Sequence, residues 1–171
     1  MKKVFLTSGP RGSGKSEYAK SIASQHPEIS FISRDEMLIS VFGKTMLDSY
    51  GGGHSYVEEL IFEKIAEFLS EDNSTEIILI DCWNGYSSQR RNFIKKLKEF
   101  GADEVICLFF IITEDLCVEW FKKKPEAEGG LSEYSVRRDY NTYYSYAKDI
   151  EENGFDNIIT INSNQLSLAL V

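Results

Sequence analysis

The run Gly9-Pro10-Arg11-Gly12-Ser13-Gly14-Lys15-Ser16 constrains everything else this chain can be. It satisfies the pattern G-x-x-x-x-G-K-[ST] at every fixed position. Val4-Phe5-Leu6-Thr7 before it is a short apolar, β-prone run, and Ser16 to Ala23 after it reads as a helix. Such a loop needs that frame. The anion site is the helix N-terminus, where unpaired N–H groups and the positive dipole end meet the phosphates. Lys15 brings a full charge to the β- and γ-phosphates, and Ser16 offers a hydroxyl to magnesium. The pattern therefore predicts a nucleoside triphosphate with magnesium, held by Gly9, Arg11, Gly12, Ser13, Gly14, Lys15 and Ser16. The structural alternative is a glycine-rich turn followed by an unrelated Lys-Ser.

At 171 residues, with 42% hydrophobic and 27% charged residues, the chain suits one globular domain over 1–171. It has no long uncharged apolar run and no signal-peptide layout, so a cytoplasmic protein with no membrane span is expected. Cys82, Cys107 and Cys117 lack metal-ligand spacing and read as reduced, near-core thiols. With only His26 and His54, a multi-histidine metal centre is excluded. The net charge of −8 argues against a surface that grips duplex DNA broadly, though not against a local basic groove.

Strand and helix patterns alternate along the chain. Strands are predicted at 3–8, 29–33, 77–80, 105–112 and 157–161. Helices are predicted at 14–25, 34–42, 55–70, 87–100, 113–123 (capped by Thr113) and 132–151. Gly43 to Gly53 reads as a loop, and the tail as a short helix or irregular chain. This alternation predicts an α/β fold, an open parallel sheet with helices on both faces. Ligands of such sheets bind at the carboxyl ends of the strands. The glycine-rich loop, Arg34-Asp35 and Asp81 all fall at such ends.

Phosphoryl transfer needs cradled phosphates, a metal, an aligned nucleophile and charge for the transition state. Asp35 is the candidate for orienting and deprotonating an acceptor hydroxyl, and an ordinary helix N-cap is the equal alternative. Asp81 ends an apolar strand, as a magnesium-associated aspartate does, acting through water alongside Ser16. Arg34, Asp81, Asn84 and Arg91 are candidates for contact with substrate. Arg90 and Arg91 read somewhat better as solvent-exposed helix charges. Lys122, Lys123 and Lys124 abut Pro125 and Gly129-Gly130, where a lid over about 122–133 would close. Arg137 could then fold inward as a catalytic arginine. Tyr140, Tyr143 and Tyr144 fit core packing better than base stacking.

This order of motifs resembles the kinase domain of the bacteriophage polynucleotide 5′-kinase family. The likeness rests on Gly9 to Ser16, Ile32-Ser33-Arg34-Asp35, Asp81, Asn84, Arg90-Arg91 and Val136-Arg137. It is also similar to the wider group of small P-loop kinases, including antibiotic-phosphorylating and toxin-type members. The resemblance implies a three-layer, nucleoside-monophosphate-kinase-like core with sheet order 2-3-1-4-5. It implies ATP-magnesium at Lys15 and Ser16, and a hydroxyl acceptor activated by Asp35. Leu38 and the lysines of the lid stand where the phage family has arginines that serve phosphates. These departures and the acid pI favour a small acceptor such as a nucleoside, sugar or antibiotic; the motif order favours a nucleic-acid 5′ end. A nucleotide-binding regulatory module is the alternative of another class.

Overall fold

A computed structural model describes residues 1–45, 52–70, 72–123 and 132–166. The strands are β1 (Lys3–Ser8), β2 (Ile29–Ser33), β3 (Ile77–Asp81), β4 (Glu104–Ile111) and β5 (Asn157–Asn162). They form one five-stranded sheet in the order β2-β3-β1-β4-β5. Every pairing is parallel, from Ser33 opposite Asp81 at one edge to Ile111 opposite Asn162 at the other. The helices are α1 (Lys15–Gln25), α2 (Arg34–Phe42), α3 (Gly53–Leu69), α4 (Ser87–Glu99), α5 (Glu114–Lys122) and α6 (Glu133–Tyr146).

Side chains alternate across a strand, so neighbours serve opposite layers. Val4, Leu6, Ile78 and Ile80 pack with Leu38 of α2, Val57, Ile61 and Ile65 of α3, and Phe93 and Leu97 of α4. Leu79, Leu108 and Phe110 point to the other face, against Ala19 and its neighbours on α1. A third cluster joins Ile112 to Cys117, Trp120 and Phe121 of α5 and Val136 of α6. The expected three-layer arrangement and strand order are therefore both present.

Some local expectations are corrected. The cap of α2 is Ser33, whose Oγ accepts from the Glu36 N–H at 3.3 Å; Asp35 sits inside the first turn. Thr113 stands at the N-cap of α5 without a side-chain capping bond; its hydroxyl is turned toward Asn164, donating to Oδ1 at 3.2 Å. The helix expected to reach 151 ends at Tyr146 and is followed by a 3-10 turn at Ile150–Glu152. Helix α3 starts at Gly53, inside the expected loop. Most of the expected lid (124–131), part of the glycine loop (46–51) and the end of the tail (167–171) lie outside the described residues.

Candidate active site

One crevice of about 540 Å³ opens at the carboxyl ends of the strands. Arg11, Gly12, Lys15 and Ser16 line one side, and Asp81, Cys82, Trp83 and Asn84 follow β3 along its floor. Arg34 and Asp35 enter from the start of α2, His54 and Glu58 from α3, and Gln89 and Asn92 from α4. His54, Glu58 and Ile61 are spaced as one helix face.

The phosphate loop is held from behind by α5. Gly14 has φ +82°, and a Cβ there would stand 2.7 Å from Cζ3 of the buried Trp120. Any side chain at that position is thus opposed by both backbone and neighbour. Cys117 Sγ donates to the Arg11 carbonyl at 2.8 Å. The buried Ser163 hydroxyl donates to the Ser13 carbonyl at 2.7 Å. Ser13 Oγ is buried with no hydrogen-bond partner among the described residues. Arg11 lies 3.7 Å from Asp139 of α6, and Lys15 Nζ reaches the Pro10 carbonyl at 3.4 Å.

Asp81 is 4% exposed, and its Oδ1 accepts from Thr7 Oγ1 at 2.7 Å, which fixes the carboxylate at the crevice floor. Next to it, burial pushes the Cys82 thiol up to about 12; Asp81 adds to the rise, and Arg34 and Lys15 oppose it. Lys15, Arg34 and Asp81, from three separate motifs, thus line the same crevice. Arg34 donates to His54 Nδ1 at 2.7 Å, so the imidazole carries its proton on Nε2. Asp35 is exposed, lines the crevice, and has neither hydrogen bond nor ion pair among the described residues.

Other predicted residues are used differently. Asn84 donates to the Thr7 carbonyl at 2.7 Å and to the Cys82 carbonyl at 3.3 Å, while its Oδ1 accepts from Ser8 at 2.7 Å. With the Ser8 proton so engaged, Tyr143 OH donates to Ser8 across 2.5 Å. Asn84 thus ties the ends of β1, β3 and α6 together rather than reaching outward. Arg90 is not a solvent-exposed helix charge: it is fully buried, donating to the carbonyls of Asn84, Gly85 and Tyr146 and to Asp149 and Asn153. Arg91 is exposed on α4 and does not line the crevice; Gln89 and Asn92 do. Arg137 is also outside it, bonded to Glu133 at 2.9 Å and Asp115 at 3.0 Å. Tyr140 and Tyr144 donate to the Ile112 and Phe110 carbonyls beyond and within β4, as packing residues do.

His54, Glu58, Trp83, Gln89 and Asn92 are crevice residues that the sequence reading missed. The spacing of 54, 58 and 61 carried a signal for a shared face, but nothing in it told which face met the crevice.

A parallel 2-3-1-4-5 sheet, with a complete phosphate loop after β1 and a crevice over the strand ends, defines a P-loop kinase fold. The chain belongs to the AAA domain family AAA_33, whose profile matches residues 4–138. Among solved structures it resembles a chain of the Pnkp1/Rnl/Hen1 RNA repair complex, with a TM-score of 0.72 and 16% identity over 90% of this chain. It spans only 47% of that chain, about half its length. A structure from Chloroflexus aurantiacus gives a TM-score of 0.69 at 14% identity, covering 98% of this chain and 90% of that one. Shikimate kinase from Acinetobacter baumannii, in complex with shikimate, gives 0.61 at 14% identity, covering 95% and 84%. A short stretch is 35% identical over 60 residues to GMP reductase of Buchnera aphidicola subsp. Schizaphis graminum, 35% of this chain and 17% of that protein. So small a share of that protein says nothing about activity.

Proposed function

We propose that the protein is an ATP-dependent kinase that transfers the γ-phosphoryl group to a hydroxyl. The observation that carries this reading is Asp35: a carboxylate that does not cap its helix and pairs with none of the described residues, in the same crevice as Lys15, Ser16 and Asp81. A regulatory nucleotide switch has no use for an unengaged carboxylate there.

The residues fit ATP with magnesium. The Ser13 hydroxyl, unpartnered among the described residues, and the N-terminus of α1 together suit an anion. Lys15 would hold the β- and γ-phosphates, and Ser16, with Asp81 through water, would hold the metal. Magnesium, when bound, supplies positive charge to the phosphate oxygens. Asp35 orients the acceptor hydroxyl and receives its proton as the oxygen attacks the γ-phosphorus. Thr7 keeps Asp81 aimed at the crevice floor. Arg137 would serve the transition state only after exchanging its carboxylate partners on α5 and α6 for phosphate. The acceptor is a nucleic-acid 5′-hydroxyl end or a nucleoside-like small molecule, with an antibiotic-type small molecule as the alternative. Buried free thiols at Cys82, Cys107 and Cys117 suit a reducing, cytoplasmic setting. Among the described residues no helix is long and apolar enough to cross a membrane.

Asp35→Asn keeps shape and one accepting oxygen but removes the base. Transfer to a hydroxyl acceptor should fall by about 10²–10⁴-fold, with affinity for an ATP analogue unchanged. Lys15→Ala should abolish transfer. Near-normal transfer in Asp35→Asn would remove the base from the mechanism.

A further inference from the structure

The half of the crevice away from the phosphate loop is built unlike a phosphate site. Arg34 is the only cation lining that half among the described residues, and it is already bonded to His54. Asp35 and Glu58 place carboxylates beside it, so a phosphate adjoining the reacting hydroxyl would meet net negative charge. Leu38, one turn after Arg34 on α2, is fully buried in the core and holds α2 on the sheet. No cation can be supplied from that position without opening the core.

In place of charge, the crevice offers a flat ring. Trp83 lines it and is 45% exposed. The indole is nevertheless fixed. It covers Gly85 so closely that a Cβ there would stand 2.4 Å from Cζ2. Tyr86 meets it edge-on at 5.1 Å and itself packs on Tyr146 at 4.8 Å. Beneath, buried Arg90 holds the Asn84 and Gly85 carbonyls at 3.1 and 2.7 Å. A half-exposed indole held this way is a preformed stacking surface, and a planar ligand ordered on it costs little additional side-chain entropy. Gln89 and Asn92, one helical turn apart on α4, add amide groups with both donors and acceptors. The Gln89 oxygen accepts from the Tyr86 N–H at 3.4 Å, which leaves its NH₂ to face a ligand. An amide held in this way, with a second one a turn along, matches the edge of a nucleobase.

We propose that this half of the crevice binds an unphosphorylated nucleoside, its base stacked on Trp83 and its edge read by Gln89 and Asn92, with its hydroxyl presented to Asp35. This rests on the kinase reading. In the reaction the acceptor O–H bond breaks and its proton passes to the Asp35 carboxylate. The oxygen forms the new bond to the γ-phosphorus. The bond from that phosphorus to the β,γ-bridging oxygen breaks, and ADP leaves with the electron pair.

The test uses the full chain with ATP and magnesium. The acceptors offered are the common nucleosides, their 3′-phosphates, a 5′-hydroxyl oligonucleotide and an aminocyclitol. At least one nucleoside should be phosphorylated with a higher kcat/KM than its 3′-phosphate, the oligonucleotide or the aminocyclitol. Trp83→Ala should raise the nucleoside KM by about 5- to 150-fold, the loss of one base–aromatic stack, and Trp83→Phe should restore most of it. In both variants the affinity for an ATP analogue should stay unchanged. The nucleoside should also quench tryptophan fluorescence in the wild type and not in Trp83→Phe, since Trp120 lies buried behind the loop. Preference for the 3′-phosphate, the oligonucleotide or the aminocyclitol would overturn the proposal, as would an unchanged KM in Trp83→Ala. If the ATP analogue binds and no nucleoside is phosphorylated, the nucleoside proposal fails and the kinase reading stands. If the ATP analogue does not bind, the kinase reading fails first.

Discussion

Ser33 and Asp35 show how much can turn on one hydroxyl. An aspartate just after a strand end has two uses, and both are common in sequence. Ser33 Oγ accepts from Glu36 N–H, and with that bond made the first turn of α2 has no need of Asp35 as a cap. The carboxylate is then left at the crevice wall. Cys82 gives the opposite lesson, that a residue can line a site and still be chemically silent. It is 6% exposed, and burial pushes its thiol up to about 12, with Asp81 adding to the rise. The thiolate is the reactive form. Native protein treated with iodoacetamide at pH 8 should therefore remain unmodified at Cys82, as read by peptide mass spectrometry, and become modified in urea. Rapid labelling of the native state would show that the floor beside Asp81 is open.

At the level of the helices, α4 does two jobs from one buried face. Phe93, Ile94 and Leu97 bury it on the sheet, while Arg90 runs inward to the joint between the β3 loop, the end of α6 and the turn at Ile150–Glu152. A fully buried guanidinium is sustained only when its donors are met, and Arg90 meets carbonyls on both sides together with Asp149 and Asn153. Arg90→Met would strand those acceptors out of water. It should lower unfolding free energy by about 3–5 kcal/mol in urea melts. A loss below about 1 kcal/mol, the level of an exposed ion pair, would mean that the network is not what holds this joint. Because Arg90 carries the Asn84 and Gly85 carbonyls, the same variant should also loosen Trp83.

For the molecule as a whole, the layers and the loop could be read from the sequence because they depend on local pattern. Apolar runs such as Ile77 to Ile80 and the helical spacing of Val57, Ile61 and Ile65 each announce their own element. The buried state of Arg90 could not be read, since its partners lie as far away as Tyr146 and Asn153, and arginine on a helix is usually solvated. Nor could the crevice wall away from the phosphate loop, which α2, α3, α4 and the β3 loop assemble only in three dimensions. Tertiary ties of that kind also set the acid limit of the fold. Asp156, just before β5, accepts from the Val105 N–H at 2.6 Å and from Lys98 of α4 at 2.7 Å, which links the edge strand to β4 and α4. The Lys98 bond first, and the Val105 N–H with it, hold its carboxyl below the usual 3.8. Asp149 is likewise lowered, first by the Ser87 hydroxyl and then by the charge of Arg90. A depressed folded value means that the stabilisation is fully present above the unfolded value and is lost as pH falls through the folded one. Both groups should thus leave stability flat from neutral pH down to about pH 5 and make it fall below about pH 4. Their side chains are partly exposed, so solvent screening keeps each contribution modest. Asp156→Asn should lower the urea midpoint at pH 7 and flatten its fall between pH 5 and pH 3. An acid slope identical to that of the wild type would show that the tie at β5 does not contribute to the acid response.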